Sequence, residues 1–402
     1  MWSWNSLKSR MKPGTLSEEE FRRQQEEIVK SAPVPVFWLF GKTGSGKTSI
    51  VRFLTGADDA SIGNGFRPET QHSRQFDFPD AEFPILRFLD TRGLGEARYD
   101  PQEDIAAFSQ SAHLVIVTAR LMDHALEPLL DPLRAIRKAA PHRPILLALT
   151  CLHEAYPRNQ HPSADVFENA DKTDELPTDL RRSLERQRER FAGIADRIVL
   201  IDLTRPEEGF AEPNFGGDRL KAALVDLLPA AFRQTILNLD EAMRPLRDLK
   251  ERQAMPYILS YSTLAATAAA VPVPWIDIPV VMALQSHMVS KLAKIYGQSL
   301  DSAMIAPFAG AMSGRLLARL TVRSTFKLVP IIGAAANAAL AFAYMWASGR
   351  AWCWYFGELR AGNAPSEAEV QRIWHGQLSS AAELWKRNHK HNAQASGGTS
   401  AP

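Results

Sequence analysis

Short apolar runs alternate with helical patterns through roughly the first half of the chain. Val34–Phe40, Pro84–Asp90, Leu114–Thr118, Ile145–Thr150 and Ile198–Asp202 read as strands buried on both faces. Arg74–Phe78 (RQFDF) alternates polar and apolar positions instead, which predicts an antiparallel edge strand. Helical spacing fills the intervals at Lys47–Leu54, Glu103–Ser109, Ala125–Ala139, Leu180–Ala195 and Arg219–Phe232. Such alternation predicts an α/β domain over residues 32–235, a mostly parallel sheet with helices on both faces. In that architecture a ligand belongs beyond the carboxyl ends of the strands.

The flanking pattern differs. Ser17 followed by Glu20 resembles a capping box opening a charged helix through Ser31, so residues 1–31 form an N-terminal helical segment. A charged helix, LNLDEAMRPLRDLKER, covers Leu237–Arg252, and Pro245 should kink or divide it; residues 236–254 are the expected linker. From Met255 to Phe356 the chain is rich in Ala, Ser, Met and aromatics, predicting an all-α domain over 255–391. The tail 392–402, NAQASGGTSAP, is expected to be disordered.

Two stretches of the helical region are unusually apolar, Tyr257–Leu284 and Leu328–Ala347. Pro272, Pro274, Asp277 and Pro279 break the first into two helices. The second has a membrane-spanning length, is flanked by Arg323, Lys327 and Arg350, and ends near Trp346, Trp352, Trp354 and Tyr355, like an interfacial belt. Pro330 and Asn337 weigh against a span. Two readings stand: a hairpin in or on a membrane, or a bundle whose alanines allow close packing.

Composition narrows the class. A chain of 402 residues, 45% hydrophobic and 23% charged, suits two globular domains. A net charge of +2 removes the simple electrostatic case for nucleic acid. Cys151 and Cys353 offer neither a disulfide framework nor a zinc spacing, which fits a reducing, cytoplasmic setting. The N-terminus MWSWNSLKSRMK lacks a secretory apolar region, and Trp2 and Trp4 beside Lys8, Arg10 and Lys12 suit either a frayed tail or a membrane-surface anchor.

The chemistry is concentrated after the first strand. Gly41-Lys42-Thr43-Gly44-Ser45-Gly46-Lys47-Thr48 matches G-x-x-x-x-G-K-[ST], with Ser49 opening a helix. Glycines let successive backbone N–H groups curl round a polyphosphate, and the helix adds its positive end. Lys47 is placed for the β- and γ-phosphates, and the Thr48 hydroxyl for Mg²⁺. Asp90-Thr91-Arg92-Gly93 ends another strand: its carboxylate suits Mg²⁺, and the Gly93 N–H suits a γ-phosphate. Between them, the polar segment Ser61–Ser73 suits a nucleotide-sensing loop, with Thr70 as its metal-completing residue and Ser61 or Ser73 as alternatives.

These three pieces resemble the Era-like branch of the translation-factor class of P-loop GTPases. The resemblance implies GTP and Mg²⁺ as cofactors, Lys47, Thr70 and Gly93 as catalytic residues, and Thr48, Asp90 and Thr70 around the metal. Leu94 stands where Ras-like enzymes have a water-positioning glutamine, which implies slow intrinsic hydrolysis. Arg92 and Arg98 are either cis-acting cations or solvated loop residues.

The match fails at the base. Where Asn-Lys-x-Asp is expected, the chain reads Thr150-Cys151-Leu152-His153-Glu154. Thr150 replaces the asparagine, His153 takes the aspartate position, and Glu154 supplies a carboxylate only if the loop shifts by one. Leu203-Thr204-Arg205 replaces Ser-Ala-Lys. Guanine nucleotide is the family expectation; an ATPase or kinase, and a scaffold that barely hydrolyses, stay open. Cys151, His153 and His161 lack the partners of a metal site and read as a base-pocket loop.

VPVPWIDIPVVMALQSHMVSKLAKIYG, with its Pro-x-Pro-x-x-Asp turn, resembles an uncharacterised bacterial helical domain found after Era-like GTPases, over about residues 255–350. That resemblance implies a membrane or protein partner and attachment at the inner face of the cell membrane.

Overall fold

The computed structural model describes residues 18–68, 73–91, 107–108, 111–156, 160–163, 166, 176–243, 245–246, 248–270, 277–300 and 330–396. Val34–Leu237 forms one compact unit, and the residues before and after it form another.

The first unit is built on seven strands: β1 (Val36–Phe40), β2 (Arg67–Pro68), β3 (Ser73–Phe78), β4 (Leu86–Thr91), β5 (Leu114–Arg120), β6 (Ile145–Thr150) and β7 (Arg197–Leu200). Their order is β2-β3-β4-β1-β5-β6-β7. The strands from β4 across to β7 are parallel, and β2 and β3 run antiparallel at one side. Every residue of β1 and β6 is buried, as their unbroken apolar runs require. Trp38 sits in the core, where its indole N–H donates to Thr91 Oγ1 at 2.6 Å and its ring meets Phe108 edge-on at 5.3 Å.

The edge differs from the sequence expectation. The two-residue β2, not β3, is outermost, pairing Arg67 with Gln75 and Pro68 with Arg74. Proline has no N–H to extend the ladder and is confined to such an edge. The polar positions of RQFDF also have a different cause. Asp77 is buried and accepts from Arg67, from Gln75 at 2.8 Å and from Arg87 at 2.6 Å, so a satisfied internal carboxylate takes the place of a solvent face.

Helices α2 (Lys47–Thr55), α3 (Asp59–Gly65), α4 (Glu127–Ala139), α5 (Thr178–Arg190) and α6 (Gly217–Leu227) belong to this unit. The expected Arg219–Phe232 helix divides at Leu228–Pro229, where α7 (Ala230–Met243) begins. Of the predicted Glu103–Ser109 helix the described residues are 107–108, which are helical; the Ser17 cap lies outside the described residues.

The second unit is helical: α1 (Glu18–Ser31), α8 (Leu249–Ala270), α9 (Asp277–Tyr296), α10 (Pro330–Arg360) and α11 (Glu367–Ser396). The chain does break near Pro245, and Asp248 Oδ1 caps the new helix by accepting the Glu251 N–H at 2.9 Å. α10 packs on α8, α9 and α11. A Cβ at Gly349 would lie 2.8 Å from Ile258 and 3.1 Å from Met288, so the small residue lets α10 approach both neighbours. Trp346, Trp352 and Tyr355 are buried and Trp354 is half-buried, so the cluster is packed rather than displayed as a belt. Their rings are packing material for a helix apolar on nearly all sides. Among the described residues no helix is long and apolar enough to cross a membrane. α11 continues to Ser396, into the segment 392–402 expected to be disordered.

Candidate nucleotide-binding site

Register brings the chemistry to one end of the sheet. Leu39 pairs with Asp90 across β1 and β4, and Arg120 pairs with Thr150 across β5 and β6, so Gly41, Asp90 and Thr150 all follow or close strands at their carboxyl ends. The loop Gly41–Gly46 curls because Gly44 and Gly46 take φ of 74° and 94°, and Gly46 opens α2 from that left-handed state. The loop is then braced from β5 and β6. Ser45 Oγ donates to the Lys42 carbonyl at 2.7 Å and lies 2.6 Å from Thr118 Oγ1. The buried Thr150 hydroxyl donates to the Ser45 carbonyl at 2.9 Å. Thr150 thus holds the phosphate loop itself.

Lys42 is committed elsewhere, to Asp123 at 2.8 Å and to the Ala125 carbonyl. Thr43, Gly44 and Thr48 are exposed, and Ser49 is half-buried at the start of α2. Thr70, Gly93, Leu94, Arg92 and Arg98 lie outside the described residues. Ser73, an alternative to Thr70, is buried in β3 opposite Thr91, and Ser61 falls within α3.

Lys47 Nζ donates to the Gly41 carbonyl at 2.6 Å and the Lys42 carbonyl at 3.1 Å, and stands 3.9 Å from Asp90. Burial pulls the Lys47 ammonium below its ordinary value, against the opposing pull of Asp90. Burial likewise pushes the Asp90 carboxyl up to about 6, although Lys47 and Arg74 oppose the shift. Asp90 Oδ1 is buried with no hydrogen-bond partner among the described residues. An orphaned hard oxygen beside a hydroxyl-bearing helix start suits Mg²⁺, which binds through one or two carboxylates together with substrate phosphates. Asp90 and Thr48 are the residues that would hold it.

The raised Asp90 value has a signed consequence. The folded chain binds this proton more tightly than the unfolded chain. Its stabilising contribution is therefore complete below the ordinary carboxylate range and is lost as pH rises through about 6. The cost of ionised Asp90 is on the order of 2–3 kcal/mol. Asp90→Asn is expected to raise the thermal midpoint of the chain in EDTA at pH 7.5, by roughly 5 °C. The gain should vanish near pH 4. Equal shifts at both pH values would contradict the burial argument.

A cavity of about 570 Å³ joins the loop to the remaining strand ends. It is lined by Gly46, Thr48, Ser49 and Arg52 on one part, and by Thr150, Cys151, His153, Ile201–Arg205, Glu207 and Glu208 on the rest. Cys151 has φ of 55°, which turns the chain into the short 3₁₀ segment Leu152–Ala155. Burial pushes its thiol up, the direction of an inert cysteine. Glu154 is not on the cavity wall; it is exposed and paired with Arg120. A one-residue shift that would bring it to a base is absent, because Leu152 is buried in the core and anchors the turn. His153 is on the wall. Its backbone N–H and ring Nδ1 both meet the buried Asp202, at 2.9 and 2.7 Å.

Asp202, Arg52 and Thr118 were missed by sequence reasoning. Asp202 had a usable signal, a carboxylate closing the strand-like run RIVLID on the ligand side of the sheet. Arg52, whose guanidinium donates to the Leu203 carbonyl at 2.7 Å, had none.

Strand order, the glycine loop and the Lys47–Asp90 pair define an α/β P-loop nucleoside-triphosphatase fold, followed by an all-α region. Residues 238–338 match a family described as Domain of unknown function (DUF697). Magnetosome membrane protein 22 of Magnetospirillum gryphiswaldense is 36% identical over 80 residues, which cover 19% of this chain and 41% of that protein. Among solved structures, bacterial selenocysteine-specific elongation factor EF-Sec shares 19% identity at a TM-score of 0.29, covering 48% of this chain and 28% of the other. The G domain of the T. maritima FeoB iron transporter shares 18% identity at a TM-score of 0.27, covering 48% and 98%. The chain spans less than half the length of the curated relative it matches and of the elongation factor.

Proposed function

We propose that this chain is a GTP-binding switch protein of the Era-like class that hydrolyses the γ-phosphate with Mg²⁺ and couples nucleotide state to its helical region. The observation that carries this reading is the half-buried Lys47 ammonium, folded onto its own loop carbonyls 3.9 Å from a carboxylate with an orphaned oxygen. A triphosphate would offer Lys47 the acceptors it now takes from Gly41 and Lys42, and Mg²⁺ held by Thr48 and Asp90 would neutralise charge on the phosphate oxygens. The loop amides from Gly44 to Lys47 cradle phosphate, while Thr70 and Gly93 sense the γ-phosphate. Residues 238–338 then carry the signal to a membrane or a protein partner, a reading supported by the membrane-protein name of the curated relative.

Single-turnover hydrolysis of GTP and ATP by the full chain, with and without anionic lipid vesicles, tests the reading. GTP turnover that is slow alone and faster with vesicles is expected; binding without turnover under both conditions would leave a nucleotide-locked scaffold. A second reading, relaxed base specificity, is favoured by the engagement of Glu154 with Arg120, which keeps the neighbouring carboxylate off the base pocket.

A further inference from the structure

One buried carboxylate organises the strand-end wall of the cavity. Asp202, with 4% of its side chain exposed, accepts the His153 backbone N–H at 2.9 Å and faces ring Nδ1 at 2.7 and 3.0 Å. A carboxylate offers only acceptors, so Nδ1 carries a proton, and in the imidazole form of the ring the lone pair lies on Nε2. That nitrogen has no protein partner among the described residues. The ring is also held sideways by Phe210, at 5.4 Å. Behind it, His161 lies 3.9 Å from Asp202, contacts the Tyr156 hydroxyl and stacks on Phe215 at 4.4 Å, which fixes the carboxylate from its other side.

A second polar group on the same wall points to a ligand. Thr204 is buried, with 4% of its surface exposed, and its hydroxyl has no hydrogen-bond partner among the described residues. Unsatisfied buried hydroxyls are costly unless something else satisfies them. The cavity runs from this wall to Gly46 and Thr48, so a ligand whose phosphates meet the loop presents its other end to His153 and Thr204.

We propose that His153, oriented by Asp202, is the base-edge acceptor of this site and, with the Thr204 hydroxyl, reads a single ring N–H. The proposal rests on the nucleotide reading above and adds its base preference. A carboxylate accepts two N–H groups of guanine at once, whereas one imidazole nitrogen accepts one. GTP and ITP both carry the ring N–H and are bound alike. ATP sets its ring lone pair against that of Nε2 and is bound less well.

Competition against a fluorescent nucleotide on the full chain tests this, with GTP, ITP, ATP and inorganic tripolyphosphate as competitors. GTP and ITP are expected within about twofold of each other, and ATP roughly fivefold or more weaker, one neutral hydrogen bond being at stake. His153→Asn keeps a donor for Asp202 but loses the atom at Nε2. It should weaken GTP and ITP roughly fivefold, leave tripolyphosphate unchanged, and level the preference over ATP. His153→Gln, which restores a polar atom at that reach, should recover most of the loss. GTP binding more than about tenfold tighter than ITP would reveal a second acceptor and overturn the proposal. So would unchanged nucleotide affinities in His153→Asn, or a loss of tripolyphosphate binding in both variants, which would assign His153 to loop structure. If the unaltered chain binds neither nucleotide nor tripolyphosphate, the nucleotide reading itself falls and takes this assignment with it.

Discussion

Lys47→Ala is expected to weaken triphosphate binding by two to four orders of magnitude while leaving the fold intact. The ammonium makes two hydrogen bonds to loop carbonyls, and in the proposed complex it would exchange these for charge-assisted bonds to phosphate oxygens. Each bond to a charged partner contributes about 1.5–3 kcal/mol, so losing two removes roughly 3–6 kcal/mol of affinity. Titration with a fluorescent GTP analogue measures the loss, and far-ultraviolet circular dichroism checks that secondary structure persists. Affinity within threefold of the unaltered chain would remove Lys47 from the phosphate site. The substitution also deprives Asp90 of the cation that restrains its upward shift. Its carboxyl should therefore titrate still higher in the variant, a direction separable from the binding loss.

Gly41→Ala is expected to be the most damaging change in the loop for stability. A Cβ there would lie 2.2 Å from Thr118 Oγ1, 2.5 Å from the Thr118 carbonyl and 2.8 Å from Ser45 Oγ. The hydroxyls can rotate, but the carbonyl belongs to β5, whose Thr118 is in register with Ala148 of β6. The loop must move instead. Overpacking of this kind costs about 2–3 kcal/mol, or a fall of roughly 5–10 °C in the thermal midpoint, and triphosphate affinity should fall with it. Gly44→Ala is the control. Gly44 has φ of 74°, but a methyl group there would meet nothing within 4 Å among the described residues, so it carries only the left-handed backbone cost of about 1–2 kcal/mol. A Gly44 variant less stable than the Gly41 variant would contradict the steric account. Thr118→Ala in the Gly41→Ala background should recover only part of the stability, because the carbonyl contact remains.

Much of the first unit was legible in the chain because buried parallel strands must be apolar throughout. The apolar run Ile145–Thr150 coincides with β6, and the phosphate loop is marked by glycines that allow positive φ. Legibility failed where one pattern has two physical causes. The alternating RQFDF suited an edge strand with a solvated face, yet Asp77 is buried and satisfied by Arg67, Gln75 and Arg87. The aromatic cluster near Trp346 suited a membrane belt, and burial against neighbouring helices explains it equally well. Apolar helices read alike whether lipid or protein covers them, and only packing distinguishes the two.

The sequence by itself determined the phosphate end of the site, because its parts are local. A strand, a glycine turn, Lys47 and a helix start are contiguous, and Asp90 lies one strand pairing away. The end of the cavity proposed to take the base was arranged by tertiary structure alone. Asp202 is far from His153 in sequence, yet it fixes that ring and its tautomer, while Arg120 withdraws Glu154 to the surface. Those assignments depend on which β6 and β7 loops meet above the sheet, and hydrogen-bond partners across such distances leave no local pattern to read.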